Sequence, residues 1–427
     1  MPHPVSPDTP APSQKSFAAL RHAGFRWFFI GNALAMMADS IEHVISYWII
    51  FEKFQSPTLA GFAVISHWVP FLLFSIWAGA LADKYDPRRV IQWGMYLFVV
   101  CTIAWGLLIF TDSLEIWHAV VILIMHGLAG VFWGPASQMM IHDIVGPKEL
   151  QSGVRLMATA RTLGILMGPA IGGGLMLLIG PAWALIVNAV IYVPLVLWIW
   201  KAPYGPKFRD DGAVQTPKVE LKGLADIVDT IKSVANHRVI ISMTLLAGGA
   251  SLFVGNSHHA QMPEFTLDLI PKDDGTFYAI LLTASGIGAL TAGLVLESRS
   301  LLEANARTAF ILVFLWCFMI IGFAASTDPY LSVVLLFIAG FLELTYNSMA
   351  QTLVQLHAPP PMRGRIIGLF SMSFLGLKSF SGVTVGVGGA IVGIHWSLGI
   401  SAALLIAFTA LLVLYSLRIP ADGAVGG

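Results

Sequence analysis

Long apolar runs recur along almost the whole of this 427-residue chain and restrict its fold more than any other feature. Each run is close to the roughly 20 residues that a helix needs to cross a bilayer. Charged residues make up 11% of the sequence, less than half of the share of about 25% that is usual in soluble proteins. The runs are too long and too uniformly apolar for the alternating strands of a membrane barrel. The sequence therefore predicts an all-α polytopic membrane protein.

The apolar runs predict twelve transmembrane helices in two groups of six. They lie at about 26–51, 58–82, 90–111, 116–143, 154–179, 182–201, 239–263, 276–297, 306–325, 330–356, 366–393 and 397–418. The two groups resemble each other, since GFAVISHWVPFLLFSIWAGALADK from residue 61 aligns with TFYAILLTASGIGALTAGLVLESR from residue 276. Parallel repeats of six helices are typical of secondary transporters, whose substrate site lies between the repeats near the middle of the membrane.

This pattern divides the chain into five parts. These are a disordered cytoplasmic tail at 1–25, a six-helix bundle at 26–201, a cytoplasmic linker with an amphipathic helix at 202–238, a second six-helix bundle at 239–418 and a cytoplasmic tail at 419–427. Of the 24 Lys and Arg residues, 21 lie in the terminal segments or near the loops that follow even-numbered spans. The positive-inside rule places those loops in the cytoplasm. We expect a multi-pass monomer in the lipid bilayer of the inner (plasma) membrane, with both termini cytoplasmic.

Several other classes of protein are disfavoured. The formal net charge is zero, which gives no reason to expect nucleic acid as a partner. The two cysteines, Cys101 and Cys317, lie in separate apolar runs and do not indicate a disulfide framework. The sequence shows no nucleophile–base constellation and no phosphate-binding loop, so it predicts neither an enzyme nor a cofactor.

The turn between the second and third predicted spans carries the motif GALADKYDPRRV. This motif resembles the signature loop of the major facilitator superfamily, in which an aspartate helps to hold the two halves in one access state. The matching residues are Gly79, Asp83, Lys84, Arg88 and Arg89. Asp86 stands where the superfamily has glycine, a departure shared by its enterobactin-exporter and macrolide-efflux branch. The resemblance implies the major facilitator fold, alternating access and a gating role for Asp83.

The fifth predicted span contains GILMGPAIGG, whose small residues allow close contact between helices and whose proline can bend the span. It resembles the superfamily's antiporter motif, which implies export of the substrate. The matching residues are Gly164, Gly168, Pro169, Gly172 and Gly173. Arg155 occupies the position of an upstream glycine in the longer form of that motif.

Nine of the ionisable residues in the apolar runs are candidates for the transport site, because a carboxylate at mid-span costs about 2.5–3.5 kcal/mol and needs a partner or a polar cavity. They are Asp39, Glu42, His43, His67, His126, His258, His259, Glu343 and Lys378. All except His67 and Lys378 belong to spans one, four, seven and ten, which line the central cavity in the superfamily. Lys378 could instead be a structural partner of Glu343, and a lone buried histidine is often only a hydrogen-bonded interior group.

We therefore hypothesise a proton-coupled antiporter that exports a small organic compound of the drug or siderophore type. Burial favours the protonated form of a carboxylate, so Asp39 or Glu42 could load and release protons, with Glu343 as a second candidate. His43 could shuttle those protons. The alternative is a transporter of metal ions or metal chelates, because imidazole and carboxylate groups are ligands for transition metals. The neighbours His258 and His259 point about 100° apart on a helix, which argues against a shared ion.

Overall fold

The computed structural model describes most of the chain, and the described residues are almost entirely helical. They lie at 16–54, 57–208, 225–255, 262–271, 276–299, 301–381 and 388–418. No strand occurs among them. The all-α prediction is confirmed.

Six helices form the first part of the chain. Helix α1 covers Ala23–Ile49 and continues as a π-helical turn at Ile50–Phe54, and it is followed by α2 at Pro57–Lys84 and α3 at Pro87–Phe110. A single helical run, Ile116–Lys201, contains two residues outside helical geometry, Gly146 and Gly180, with φ of 71° and 78°. These glycines divide it into α4 (116–145), α5 (147–179) and α6 (181–201), because a positive φ is open to glycine without steric cost.

The second part begins with short helices. The helices are α7 at Ala225–Val234, α8 at Arg238–Phe253, α9 at Met262–Leu269, α10 at Thr276–Ser298, α11 at Ala306–Ala325, α12 at Pro329–His357, α13 at Arg363–Ser371, α14 at Lys378–Ser381, α15 at Gly388–Val392 and α16 at Ile394–Arg418. Met372–Gly376 forms a π-helical turn between α13 and α14. Helix α7 is the amphipathic helix expected in the linker, with Val234 buried and Val228 exposed.

Seven helical runs among the described residues are long and apolar enough to cross a membrane, whereas the sequence predicted twelve spans. One of the seven runs covers 93 residues, far more than one crossing needs. The loop expected at 144–153 is helical apart from Gly146. The span expected at 366–393 is not one continuous helix, since the π-helical turn at Met372–Gly376 interrupts it.

Close contacts between helix backbones set the positions of α1 and α2. A Cβ added at Gly164 would lie 2.8 Å from the amide nitrogen of Met37, and one added at Gly168 would overlap Ser40, so α5 packs directly on α1. A Cβ at Gly127 of α4 would overlap the carbonyl oxygen of Ser66 in α2. These glycines therefore hold α1, α2, α4 and α5 at the short separations that small residues permit.

The two parts of the chain meet where α2 ends at Lys84 and α13 begins at Arg363, and we call this end of the bundle the basic end. Asp83 accepts two hydrogen bonds there, with Oδ1 2.7 Å from the amide nitrogen of Gly364 and Oδ2 2.9 Å from that of Arg365. A Cβ at Gly79 would overlap the carbonyl oxygen of Gly364. The motif aspartate therefore caps the first turn of a helix from the other part of the chain.

A second connection lies at the same end, between α5 and α10. Arg155 donates from Nη1 to the carbonyl oxygen of Leu296 at 2.8 Å and pairs with Oε2 of Glu297 at 3.2 Å. The hydroxyl of Ser152 donates to Glu297 and accepts from the amide of Ala19 at 3.0 Å. The segment before α1 is thus hydrogen-bonded to Ser152, which also contacts Glu297.

Candidate functional site

Two carboxylates of α1 are bridged by one histidine of α4. Nε2 of His126 lies 2.9 Å from Oδ1 of Asp39, and its Nδ1 lies 2.9 Å from Oε1 of Glu42. The exposed fractions are 8% for Asp39, 2% for Glu42 and 4% for His126. Residues three apart on a helix lie on one face, which lets a single ring reach both carboxylates. We call Asp39, His126 and Glu42 the buried triad.

The protons of the buried triad can be counted from its geometry. Each of the two 2.9 Å contacts needs one proton between a nitrogen and an oxygen, because two lone pairs at that distance would repel. Either His126 is doubly protonated between two carboxylates, or it is neutral and one carboxyl group is protonated. In both cases the triad holds two protons and a net charge of −1. Loss of one proton would leave one contact repulsive.

The surroundings of the triad are apolar and tightly packed. The ring of Phe98 lies 4.8 Å from that of His126 and stacks on Tyr192 at 5.4 Å. Oε2 of Glu42 is buried and has no hydrogen-bond partner among the described residues. A buried acceptor without a partner costs about 1–3 kcal/mol, so this oxygen lowers the stability of the site as it stands.

Two further histidines extend from the triad. Nδ1 of His43 lies 2.8 Å from the backbone carbonyl oxygen of Asp39 and 3.6 Å from Oδ2 of the same residue. Nε2 of His43 lies 3.1 Å from Nδ1 of His67, which α2 contributes. Helix α1 thus supplies Asp39, Glu42 and His43, while α2 and α4 supply one histidine each.

The three histidines are the one set among the described residues with the spacing of a metal site. His43, His67 and His126 each offer a nitrogen within 4.8 Å of the others. Both nitrogens of His126 are bonded to carboxylates, however, and those of His43 are bonded to Asp39 and His67. A metal ion bound by the three histidines would have to replace these hydrogen bonds.

The remaining predicted members lie in the second part of the chain. Glu343 of α12 is half-buried and interacts electrostatically with Lys378 and with Arg161 of α5, and Arg161 also interacts with Asp39. Nζ of Lys378 lies 4.7 Å from the ring centre of Phe374 and 5.6 Å from that of Trp68 in α2. Arg161 therefore interacts electrostatically with both the triad and Glu343. His258 and His259 lie outside the described residues.

The residues of the two motifs differ in the contacts that they make. Asp83 and Gly79 make the contacts described above, and Arg88 donates to the carbonyl oxygen of Ala202 at 2.6 Å and pairs with Asp86. Lys84 and Arg89 are exposed. In the fifth span, Gly164, Gly168 and Gly172 face α1, whereas nothing lies within 4 Å of a Cβ at Gly173. Pro169 is exposed and the helix continues through it.

Two contacts outside the buried triad were not predicted from the sequence. Trp133 of α4 donates from Nε1 to Oδ1 of Asn32 at 2.9 Å, which fixes the register of α1 against α4. In the sequence, Arg155 is only a departure from a glycine motif, whereas in the structure it forms the buried pair with Glu297. A buried arginine in a run of small residues is itself a signal that a carboxylate partner must exist.

A helical membrane bundle with ionisable groups buried at mid-helix, joined at its basic end by the signature aspartate, defines a transporter of the major facilitator superfamily. The family model described as transmembrane secretion effector matches residues 14–425, and the chain belongs to this family. The resemblance inferred from the two motifs is thereby confirmed.

Three bacterial relatives cover most of the chain. The staphyloferrin A transporter of Staphylococcus aureus is 22% identical over 81% of this chain and 85% of its own. Macrolide efflux protein A of Streptococcus pyogenes is 22% identical over 81% and 84%, and the enterobactin exporter of Shigella boydii is 25% identical over 82% and 81%. The chain is therefore similar to efflux proteins.

Solved structures support the fold. The fucose:proton symporter of E. coli superposes with a TM-score of 0.71 at 13% identity, over 92% of this chain and 98% of the symporter. At this identity the likeness shows the fold alone.

Proposed function

We propose that this protein is a secondary active transporter that exports a small organic compound in exchange for protons. The observation that carries the proposal is the buried triad, in which His126 bridges Asp39 and Glu42 at 2.9 Å each. A buried carboxylate pair that must hold two protons to keep its contacts is a device for coupling proton binding to helix position. A structural role alone would be filled at lower cost by apolar residues, because replacing buried charges by well-packed apolar side chains is often neutral or stabilising.

The architecture that we propose has twelve spans in two related bundles, at 26–201 and 239–418, with both termini cytoplasmic. The two connections at the basic end support this arrangement, since Asp83 at the end of α2 bonds to α13 and Glu297 at the end of α10 bonds to α5. Helices α2 and α10 hold matching places in the two bundles, and so do α5 and α13. Each connection therefore joins the same two places from opposite bundles, as parallel repeats require. The excess of Lys and Arg at this end supports a cytoplasmic location.

The cycle follows from the joined basic end. With the basic end closed, a cavity between the bundles would open on the opposite side of the membrane, and this is the state in which we propose that the triad loads its second proton. Proton release on the cytoplasmic side leaves one triad contact repulsive, so α1 and α4 would shift relative to each other. Movement of α1 is transmitted to α5, because Gly164 and Gly168 pack against its backbone.

The cargo that we propose is of the drug or siderophore type. The relatives named for staphyloferrin A, enterobactin and macrolides support this class. The comparisons do not favour the alternative, a transporter of metal ions or metal chelates.

The test uses purified protein in proteoliposomes with an imposed pH gradient and ethidium, erythromycin and a catecholate siderophore as probes. Wild-type protein should move at least one probe against the proton flow. Asp39→Asn keeps the shape of the side chain but cannot exchange a proton, and it should abolish gradient-driven movement while probe binding remains. Asp112→Asn, an exposed change far from the triad, is the matched control. Gradient-driven transport at the wild-type rate by Asp39→Asn would contradict the proposal.

A further inference from the structure

We propose that His67 and His43 form the path by which protons reach the buried triad, with His67 as the entry and Asp39 as the acceptor. The proposal rests on the proposed function, since it assumes that the triad exchanges protons. Its test needs no cargo, so the two can fail separately.

Hydrogen-bond geometry fixes the tautomers of both rings. The backbone carbonyl oxygen of Asp39 can only accept, so Nδ1 of His43, 2.8 Å away, must carry a hydrogen. Nε2 of the neutral His43 ring is then an acceptor. Nδ1 of His67, 3.1 Å from that atom, must therefore be the donor. This leaves Nε2 of His67 as an acceptor, and among the described residues it has no hydrogen-bond partner.

This arrangement allows a proton to be relayed in one direction. A proton from water binds Nε2 of His67, and the hydrogen on Nδ1 of His67 passes to Nε2 of His43. In the structure, Nδ1 of His43 lies 3.6 Å from Oδ2 of Asp39. As the ring turns from the backbone carbonyl toward this carboxylate, the hydrogen on Nδ1 passes to Oδ2. One proton enters and one is delivered. Both rings end in the opposite tautomer and must rotate or return the hydrogen before the next transfer.

Burial decreases from the triad to the two histidines of the path. The exposed fraction is 2% for Glu42 and 8% for Asp39, while the side chain of His43 is 20% exposed and His67 is half-buried. Trp68, the neighbour of His67, lies beside Lys378 of the second bundle. The outer end of the path therefore lies near the contact between the two bundles, where a cavity open to water would form.

Other titratable groups face the path but do not form part of it. Those that interact with it or with the triad are Tyr47 on α1, Cys101 on α3, Arg161 on α5 and Tyr192 on α6. The thiol of Cys101 bonds to the carbonyl oxygen of Ile122 at 3.7 Å, and the hydroxyl of Tyr192 has no partner among the described residues. Neither gives a continuous chain of hydrogen bonds to the surface. Arg161 is a fixed positive charge that interacts with both His67 and Asp39.

The experiment is a pH jump on purified protein, followed by infrared spectroscopy of the carbonyl band of protonated carboxyl groups. The band component that Asp39→Asn removes reports protonation of the triad. His67→Gln and His67→Ala should slow its appearance at least about 10-fold, since positioned acid–base groups contribute about 10²–10⁴-fold to proton transfer. Added imidazole should restore the rate in His67→Ala. His395→Gln, which changes a histidine of the second bundle that is bonded to Ala324 and Asp268, is the matched control and should be unaffected.

Any other outcome would contradict the proposed proton path. Wild-type rates in both His67 variants would show that protons enter elsewhere. Slow protonation that imidazole does not restore would show that His67 only positions its neighbours. The proposed function would fail differently, through gradient-driven transport that persists in Asp39→Asn.

Discussion

Arg155 and Glu297 form a buried ion pair between α5 and α10, with Nη1 3.2 Å from Oε2. Both side chains are at most 4% exposed, and the guanidinium also donates to the carbonyl oxygens of Leu296, Leu301 and Leu302. The pair therefore fastens the start of α5 to the turn that follows α10. It lies at the same end of the bundle as Asp83 and Gly364.

Arg155→Met should destabilise the protein by about 3–5 kcal/mol, because it leaves the Glu297 carboxylate buried without its partner. Unfolding of the purified protein, followed in detergent with a chemical denaturant, measures the loss. The double variant Arg155→Met/Glu297→Met should lose less, since neither charge remains buried. The control is Asp112→Asn, which breaks the exposed pair with Lys53 and should leave unfolding unchanged. Equal losses in the single and double variants would contradict the assignment of a buried pair.

Asp83→Asn should open the basic end more often. An amide has only one acceptor oxygen, so its NH₂ group would face the amide hydrogen of Gly364 or Arg365. Hydrogen bonds to a charged group contribute about 1.5–3 kcal/mol, which predicts a rise of about 10-fold or more in the open population.

Cysteine labelling measures this opening. Gln355, whose side chain is 1% exposed and bonds to Gln138 at 3.0 Å, is a reporter position for Gln355→Cys. The cysteine should react faster with a water-soluble maleimide when Asp83→Asn is added. An unchanged rate would show that the two hydrogen bonds do not hold this end closed.

Gly168→Ala and Gly173→Ala should differ although both lie in the antiporter-like motif. A Cβ at Gly168 would overlap Ser40 of α1, whereas nothing lies within 4 Å of one at Gly173. Overpacking typically costs about 1–3 kcal/mol, so only Gly168→Ala should lower the free energy of unfolding. Gly173→Ala should be neutral or slightly stabilising, because alanine has the higher helix propensity. Equal effects would show that the motif does not act through contact with α1.

His126→Leu should destabilise the protein through the carboxylates that it leaves behind. Asp39 and Glu42 would each lose a partner, at about 1–3 kcal/mol for each buried unsatisfied group. Adding Glu42→Gln and Asp39→Asn to His126→Leu leaves no carboxyl group of the triad and should recover part of the loss. Thermal unfolding of the wild type, of His126→Leu and of the triple variant measures this coupling. No recovery would mean that the loss arises from packing against Phe98 instead.

Much of the fold was predictable because apolar runs and the position of Lys and Arg reflect the membrane directly. The loop motif singled out Asp83, which bonds to α13 of the second part of the chain, and its gating role stays a prediction. The polar face of α1 was also readable, since Asp39 and Glu42 lie one helical turn apart. The sequence alone does not show which histidine contacts these two carboxylates. His126 lies 84 residues beyond Glu42, and only the packing of α4 on α1 brings the two together.

Interruptions of helices were the least predictable part. The π-helical turn at Met372–Gly376 lies within an apolar run with no proline, and hydropathy alone does not distinguish it from regular helix. The reverse error occurred at 144–153, where the polar residues and Pro147 indicated a loop. Proline is well tolerated in the first turn of a helix, and Gly146 alone supplies the change of direction.

Asp83 binds the backbone amides of Gly364 and Arg365, and a Cβ at Gly364 would lie 2.7 Å from its Oδ1. The contact therefore needs glycine at position 364, and the charge of the Arg365 side chain also acts on Asp83. The close approach at Gly79 and Gly364 leaves no room for a larger residue at either position. Glu343 and Lys378 are not among the residues that form this contact, so substitutions around them would leave the contact between α2 and α13 unchanged.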